Sequence, residues 1–310
     1  MIHPNYPTRE EVDEWCEAVF RRGAASSAEP KVSKWVFGSD PHVASRGNDK
    51  ECLLEFPSAK GGSFHCFWQP ALTGPSPVVF HLPGYGAEFS AHPELVAAGF
   101  HVMHINPHGY NTPTGWPEGV DLANPLGTQR TVFPDTVTSF GKRGYVEWLT
   151  DACVAVRWAR AQPEVQSDRY GFFGTSQGGG TSLLLGSIHA DEGCRAVAAD
   201  QAFLTNFPRF HSRENETGWV LQILKTIPEE DLPKAWHTLG LVDTLSHAHR
   251  LTMPVYLGAG SADTLISPDL VEPLFGRLEG TRCYAVLKDQ SHGYTNVFKQ
   301  MAAAWFRCYV

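Results

Sequence analysis

From residue 77 onward, short apolar runs alternate with segments of helical periodicity, and this alternation restricts the fold more strongly than any other pattern in the 310-residue chain. The apolar runs cover residues 78–82, 100–105, 170–173, 196–199, 255–257 and 284–287. The helical segments lie near residues 93–98, 145–161, 178–190, 268–278 and 294–306. Parallel strands need crossover connections, which are usually helices. We therefore predict an α/β fold with a mostly parallel central sheet and helices on both faces.

The first 70 residues follow a different pattern. Thr8 and Glu11 form a capping-box sequence ahead of apolar residues at helical spacing, which predicts a helix over residues 8–22. Three β-like runs separated by turn-rich stretches then predict antiparallel hairpins at a sheet edge; they cover residues 34–37, 52–56 and 64–69. Residues 107–144 are rich in Gly and Pro and predict an irregular excursion over the sheet. With neither a repeat nor a linker, residues 1–310 are expected to form a single domain.

Composition excludes several classes of protein. Hydrophobic residues make up 42% and charged residues 19% of the chain, as in soluble globular proteins. The net charge of −8 without a basic cluster argues against a nucleic-acid partner. The sequence shows neither a signal peptide nor a membrane span, so we expect a cytoplasmic protein with no membrane partner. The seven cysteines lie singly, without metal-ligand spacing, and are expected to be reduced.

Ser176 carries the strongest chemical motif of the chain. It lies in Gly174-Thr-Ser-Gln-Gly178, between a predicted strand and a predicted helix. This is the pattern of a nucleophile elbow, in which a sharp turn exposes the serine hydroxyl above the sheet of an α/β-hydrolase fold. A glycine-rich turn that only packs or binds phosphate is the competing interpretation, but the phosphate-loop pattern GxxxxGK[ST] and the dinucleotide pattern GxGxxG are both absent. We predict that Ser176 is a catalytic nucleophile.

A serine hydroxyl needs a base to take its proton and a carboxylate to hold that base. In this fold the chain order is serine, acid, histidine. His292 follows the last predicted strand and Asp263 follows the strand before it, so both are expected at the same sheet edge as Ser176. Rival carboxylates do not follow a strand end so closely; they are Asp243, Asp269 and Asp289. We predict Asp263 and His292 as the other catalytic residues.

An acyl-enzyme route passes through a tetrahedral oxyanion, which backbone N–H groups stabilise. One donor follows the nucleophile, which makes it Gln177, and the other belongs to the loop after an earlier strand, where we assign Tyr85. A turn that merely ends that strand would look the same.

The histidines offer little sign of a metal site. His101 and His104 lie three apart in a predicted strand and are expected on opposite faces, while His247 and His249 have no evident third ligand nearby. The HExxH pattern is absent. We therefore predict neither a metal ion nor another cofactor.

Several separate stretches resemble the carbohydrate esterases that include acetyl xylan esterases and cephalosporin C deacetylases. The similarity spans roughly residues 50–307; its stretches are residues 83–86 (Pro-Gly-Tyr-Gly), 174–179 (Gly-Thr-Ser-Gln-Gly-Gly), 199–207, 260–263 (Gly-Ser-Ala-Asp) with Pro268, and 291–293 (Ser-His-Gly). The resemblance implies the same triad and the same two backbone donors. It also implies a homo-oligomer, because the family tends towards ring-shaped hexamers.

The chain departs from the family pattern at three places. It has His108-Gly109-Tyr110 where the family has Arg-Gly-Gln, and Gly293 where the family has glutamate, so a structural ion pair is expected to be replaced. Gln201-Ala202 stands where the family has Val-Pro near the acyl pocket. The resemblance implies that these two residues bind substrate, in a pocket enlarged by the loss of the proline ring.

Together these observations predict a serine esterase that removes short acyl groups, acetyl foremost, from small-molecule esters such as acetylated sugars. Two alternatives stay open. The same triad serves thioesterases and peptidase-like hydrolases, and a degenerate hydrolase fold serves as a non-catalytic binding protein.

Overall fold

A computed structural model of the protein describes residues 3–26, 29–34, 51–85, 90–109, 132–214 and 218–310. Within these residues nine strands form one sheet. The strands are β1 (Lys31–Lys34), β2 (Cys52–Pro57), β3 (Ser63–Gln69), β4 (Ser76–Leu82), β5 (His101–Ile105), β6 (Val165–Thr175), β7 (Ala196–Asp200), β8 (Val255–Gly260) and β9 (Arg282–Leu287). Their order in the sheet is β1-β2-β3-β5-β4-β6-β7-β8-β9.

The sheet is mostly parallel, as the sequence pattern predicts. Strands β4 to β9 pair in parallel, with Val79 beside Gly171 and Ala199 beside Leu257. Strands β1, β2 and β3 add to one edge as antiparallel neighbours. The predicted α/β-hydrolase fold is confirmed. The strand predicted at residues 34–37 overlaps β1 at Lys34 alone, and residues 35–37 lie outside the described residues.

Helices cover both faces of the sheet. They are α1 (Arg9–Ala25), α2 (Pro93–Ala97), α3 (Val132–Thr138), α4 (Tyr145–Arg160), α5 (Gln177–Ile188), α6 (Phe207–His211), α7 (Trp219–Leu224), α8 (Leu232–Leu241), α9 (Pro268–Arg277) and α10 (Asn296–Tyr309). The larger core contains side chains of α1, α4 and α5, and the smaller one lies between the opposite face and the helices α2 and α10. No helix among the described residues is long and apolar enough to cross a membrane.

The first helix begins where the capping box predicts. Thr8 Oγ1 accepts from the backbone N–H of Glu11, and the Glu11 carboxylate accepts from the backbone N–H of Thr8. Its apolar side packs on α4 so closely that a Cβ built on Gly23 would lie 2.4 Å from the Cβ of Cys153. Burial of this face, and not helix propensity, holds α1 against the body.

Part of the segment predicted as an irregular excursion is helical. Residues 110–131 lie outside the described residues, but α3 occupies Val132–Thr138 near the end of the range. Phe133 is buried and stacks on Phe207 with ring centroids 5.6 Å apart. Tertiary packing of this kind stabilises a seven-residue helix that is too short to show clear periodicity in the sequence.

All seven cysteines are free thiols. Four of them are buried, and burial raises the pKa of Cys16 to about 11. A thiol held protonated in this way is a poor nucleophile. Cys16 therefore behaves as a packing residue.

Candidate active site

Ser176 occupies a strained turn between β6 and α5. Its φ of 60° and ψ of −123° are rarely adopted by a residue with a side chain. The turn is also crowded, since a Cβ built on Gly178 would lie 1.9 Å from the carbonyl oxygen of Leu82, and one on Gly174 would lie 2.5 Å from the same oxygen. Glycine is therefore required at both positions, which explains the motif physically. The surrounding backbone stabilises this strained conformation, since the Ser176 carbonyl accepts a hydrogen bond from the backbone N–H of Phe203 at 3.0 Å.

The fold brings Ser176, Asp263 and His292 into one hydrogen-bonded line. His292 Nε2 lies 2.9 Å from Ser176 Oγ, and His292 Nδ1 lies 2.8 Å from Asp263 Oδ2. Asp263 follows β8 and His292 follows β9, so all three residues leave the carboxyl edge of the parallel sheet. This geometry can pass a proton from the serine hydroxyl to the imidazole.

The second oxygen of Asp263 fixes the carboxylate. Oδ1 accepts from the backbone N–H groups of Leu265 and Ile266, each at 2.8 Å, which leaves Oδ2 to face His292. Burial pushes the pKa of Asp263 upward, but the hydrogen bond from His292 and those from the two backbone groups outweigh it, so the pKa lies below its usual value. The carboxylate is thus ionised at neutral pH.

Two of the three rival carboxylates, Asp243 and Asp269, have other partners. Asp243 accepts from the backbone N–H groups of Asn206, Phe207 and Leu245 and from the Tyr6 hydroxyl. Asp269 binds the guanidinium groups of Arg209 and Arg213. These contacts hold loops and helix ends together, whereas Asp263 faces the imidazole.

The two predicted oxyanion donors lie at the same edge of the sheet. Gln177 is the first residue of α5, and Tyr85 lies three residues beyond β4, the strand that pairs with β6. The β4 loop is held by Tyr294, whose hydroxyl accepts from the backbone N–H of Gly84 at 2.5 Å. Their role as donors stays a prediction.

Gln201 makes contacts that the sequence did not indicate. Its Nε2 donates to the carbonyl of Ser291 at 2.8 Å, and its Oε1 accepts from the backbone N–H of Gly293 at 2.8 Å. The amide therefore holds the backbone on both sides of His292. This geometry indicates a positioning residue, while substrate binding by Gln201 and Ala202 stays a prediction. The expected replacement of an ion pair around Gly293 likewise stays a prediction.

Asp200, the last residue of β7, is a further carboxyl group close to His292 and Asp263. Burial raises its pKa to about 7, the neighbouring Asp263 carboxylate adds to this rise, and His292 opposes it. Sequence reasoning overlooked Asp200, although its place at a strand end on the same sheet edge was a usable signal. Asp200 therefore changes charge near neutral pH beside the imidazole.

We expect Asp200→Asn to change the pH profile of ester hydrolysis. Below about pH 7 the wild-type carboxyl is neutral and resembles the amide. Above that pH its negative charge should favour the imidazolium that forms as Ser176 attacks. The variant should match the wild type at acidic pH and fall roughly threefold to tenfold below it in kcat/KM at alkaline pH, equivalent to ~1 kcal/mol of charge coupling.

Asp151→Asn is the matched control for this measurement. Burial also raises the pKa of Asp151 to about 7, but its carboxylate binds Ser58 and the backbone of Ala59, away from the site. Its substitution should leave the profile unchanged. Identical profiles for Asp200→Asn and the wild type would remove Asp200 from the chemistry.

A cavity of about 280 Å³ adjoins the loop that carries Asp263. Its lining comes from two segments and comprises Phe210, Arg213, Glu214, Gly218, Trp219, Thr264, Leu265, Ser267 and Leu270. Trp219 also contacts the ring of Tyr85, with centroids 5.1 Å apart. One residue of the cavity lining, Trp219, therefore contacts the loop of the predicted oxyanion donor.

The histidines considered as metal ligands separate into two groups. His101 and His104 lie on opposite faces of β5, as their spacing predicts: His101 stacks on Trp68, whereas His104 contacts His81. His247 and His249 are bound within the protein, by Ser187 and Asp13 among others. In contrast, His81, His92 and His104 converge, although no spacing in the sequence signals it.

Comparison with known proteins agrees with the fold. Residues 50–309 match the family model described as acetyl xylan esterase (AXE1). Acetyl xylan esterase 1 from Thermoanaerobacterium sp. JW/SL YS485 is similar in structure, with a TM-score of 0.78, 20% identity, and coverage of 97% of this chain and 94% of that one. The acetyl xylan esterase from Paenibacillus sp. R4 gives a TM-score of 0.75 at 16% identity, with coverage of 100% and 98%. An acylaminoacyl peptidase from Pyrococcus horikoshii gives 0.59 at 13% identity, with coverage of 94% of this chain and 42% of that one.

Proposed function

The chain belongs to the acetyl xylan esterase family and is a carboxylic ester hydrolase, and we propose that it removes short acyl groups, acetyl foremost, through an acyl-enzyme on Ser176. The observation that carries the proposal is the hydrogen-bonded line from Ser176 Oγ through His292 to Asp263. It supports nucleophilic catalysis because each member is placed to activate the next.

In the acylation step, His292 Nε2 takes the proton of Ser176 as Oγ attacks the ester carbonyl carbon. The carbonyl oxygen gains negative charge, and the backbone N–H groups of Tyr85 and Gln177 stabilise it. The C–O bond to the alcohol then breaks, and the imidazolium returns the proton to the departing oxygen. Asp263 stabilises the imidazolium and keeps Nδ1 protonated, so that Nε2 faces the serine.

In the deacylation step, water replaces the alcohol. His292 takes a proton from the water, whose oxygen attacks the acyl carbon, and a second tetrahedral oxyanion forms. Its collapse breaks the bond to Ser176 Oγ, returns the proton to the serine and releases the carboxylic acid. Gln201 supports both steps by fixing the backbone around His292.

We place the alcohol half of the ester in the cavity of about 280 Å³ beside Asp263. Its charged side chains already have partners: Arg213 binds Asp269, and Glu214 accepts from the backbone of Val220 and Leu221. The remaining lining offers mainly apolar and aromatic surface, such as that of Trp219, on which the flat face of a sugar ring can pack.

A labelling and substrate experiment tests the proposed function. A fluorophosphonate probe should modify Ser176, and acetyl esters should be hydrolysed with a higher kcat/KM than butyryl esters, thioesters or aminoacyl amides. Acetylated sugars and cephalosporin C extend the panel to the alcohol half. Failure to label would indicate a non-catalytic binding protein, and a preference for thioesters or aminoacyl amides would indicate one of the other serine hydrolases.

A further inference from the structure

Three buried histidines come together beside β4, the strand that leads to the loop with Tyr85. His81 lies on β4, His104 on the neighbouring β5, and His92 directly before α2. One ring nitrogen from each lies within 4.8 Å of those of the other two. Each residue is only 1% exposed, so bulk solvent does not supply hydrogen-bond partners for their ring nitrogens. The sheet register explains the meeting of two of them, because it places His81 beside His104.

The outward nitrogens face oxygen acceptors. Nδ1 of His104 points at His81, 2.7 Å from its Nδ1, while Nε2 of His104 faces the amide oxygen of Asn106 at 3.4 Å. Nδ1 of His92 lies 3.5 Å from the carboxylate of Glu94. Histidines that bind metals usually present one nitrogen to the ion and the other to a carboxylate, amide or backbone oxygen. His104 shows this arrangement, and Nδ1 of His92 lies near the Glu94 carboxylate without forming a hydrogen bond.

The cluster also contains buried polar atoms without hydrogen bonds among the described residues. Both ring nitrogens of His92 and one carboxylate oxygen of Glu94 belong to this class. Leaving such atoms without partners costs free energy, typically ~1–3 kcal/mol for each group. A ligand that accepts a lone pair from His92 would remove part of this cost.

The rings are in the protonation state that metal binding needs. Burial lowers the pKa of all three, that of His104 to about 3, so they are neutral with a lone pair available at neutral pH. Lys299 disfavours a cation here, but its ammonium group lies 3.8 Å from the carboxylate of Glu94, which offsets its charge.

We propose that His81, His92 and His104 form a binding site for one divalent transition-metal ion of the zinc class. Three neutral imidazoles are a ligand set that zinc prefers. Zinc–nitrogen bonds of about 2.0–2.1 Å separate tetrahedral ligand nitrogens by roughly 3.3 Å, so the nitrogens of His81 and His104 must move apart by roughly 0.6 Å. The nitrogen of His92, which lies within 4.8 Å of the other two, must move closer by up to roughly 1.5 Å to reach the same spacing. These displacements are small for side chains at the ends of two χ rotations.

A metal ion at this site would stabilise the fold and would not take part in ester hydrolysis. It would tie the residue before α2 to two strands of the sheet, and β4 leads directly to the loop held by Tyr294. The ion would therefore steady the β4 loop without contacting the acyl group. This proposal does not depend on the proposed function.

Metal analysis of tag-free protein tests the proposal. Protein from zinc-supplemented growth should retain about one equivalent of metal per chain after dialysis, and exhaustive chelation should lower its Tm by about 5 °C or more. Refolding with Co²⁺ in place of zinc should give visible absorption bands from cobalt bound to the imidazole nitrogens. His92→Gln and His104→Gln should each lose the metal and the cobalt spectrum.

His101→Gln is the matched control. His101 is equally buried on the same strand, but its ring faces away and binds the backbone at Ala71 and Glu164. This variant should keep the metal. Wild-type protein that holds no stoichiometric metal and gives no cobalt spectrum would overturn the proposal, as would variants His92→Gln and His104→Gln that keep the wild-type metal content. Because the wild-type readouts need no substitution, a variant that fails to fold does not decide the test.

Discussion

Replacing Ser176 by alanine is expected to lower kcat/KM for short acyl esters by at least about 10⁴-fold, the scale seen when a triad loses its nucleophile. The physical reason is that alanine leaves no oxygen to form the acyl-enzyme, while the substrate pocket and the oxyanion donors stay in place. The residual rate should therefore exceed that of the uncatalysed reaction. Hydrolysis of p-nitrophenyl esters with short acyl groups, followed at saturating and limiting substrate concentrations, measures the loss of kcat and of kcat/KM.

Ser182→Ala supplies the matched control for this experiment. Ser182 lies on the same helix α5, is fully buried, and donates its hydroxyl to the carbonyl of Gly178 at 2.7 Å. Its removal should cost only ~1 kcal/mol of stability and leave kcat nearly unchanged. Full activity in Ser176→Ala would disprove the assigned nucleophile.

Asp263→Asn should lower kcat/KM for the same esters by about 10⁴-fold, because an amide NH₂ turned towards His292 favours the wrong imidazole tautomer.

The second large effect is expected from Gly178→Ala. The added Cβ would meet the carbonyl oxygen of Leu82 at 1.9 Å and the backbone carbon of Pro83 at 3.0 Å. Both are main-chain atoms, so no rotamer change relieves the clash, and β4 with its loop must move. We expect a loss of about 3 kcal/mol or more in the free energy of unfolding, a fall in Tm of roughly 6–10 °C, and loss of activity.

Gly276→Ala is the contrasting substitution. Gly276 lies in the last turn of α9, and a Cβ there would meet nothing within 4 Å. Alanine in an unobstructed helical position stabilises by up to about 1 kcal/mol. Thermal unfolding of both variants should thus show opposite signs. A Gly178→Ala protein with wild-type Tm and activity would show that the elbow is less tightly packed than the structure indicates.

Much of the fold was readable from the sequence because its patterns are local. The alternation of apolar runs and helical segments predicted the parallel strands, and the capping box predicted a helix from residue 8 to 22, where α1 begins at Arg9 and ends at Ala25. Patterns that depend on distant packing were harder to read. Helix α3 lies in a segment predicted to be irregular, since contacts such as that of Phe133 with Phe207 stabilise it.

The sequence by itself predicted the order of the candidate catalytic residues along the chain: Ser176 in the elbow, then Asp263, then His292, each in a loop or turn after a strand. That information is local because strand ends and tight turns leave a mark in neighbouring residues. Only the tertiary structure decided how far apart the side chains lie and which others join them. Three features join residues from separate elements. They are the hydrogen bonds of Gln201 to the backbone on both sides of His292, the position of the Asp200 carboxyl group near His292, and the cluster of His81, His92 and His104. Sheet register and burial create these neighbours, and neither is written in the spacing of residues along the chain.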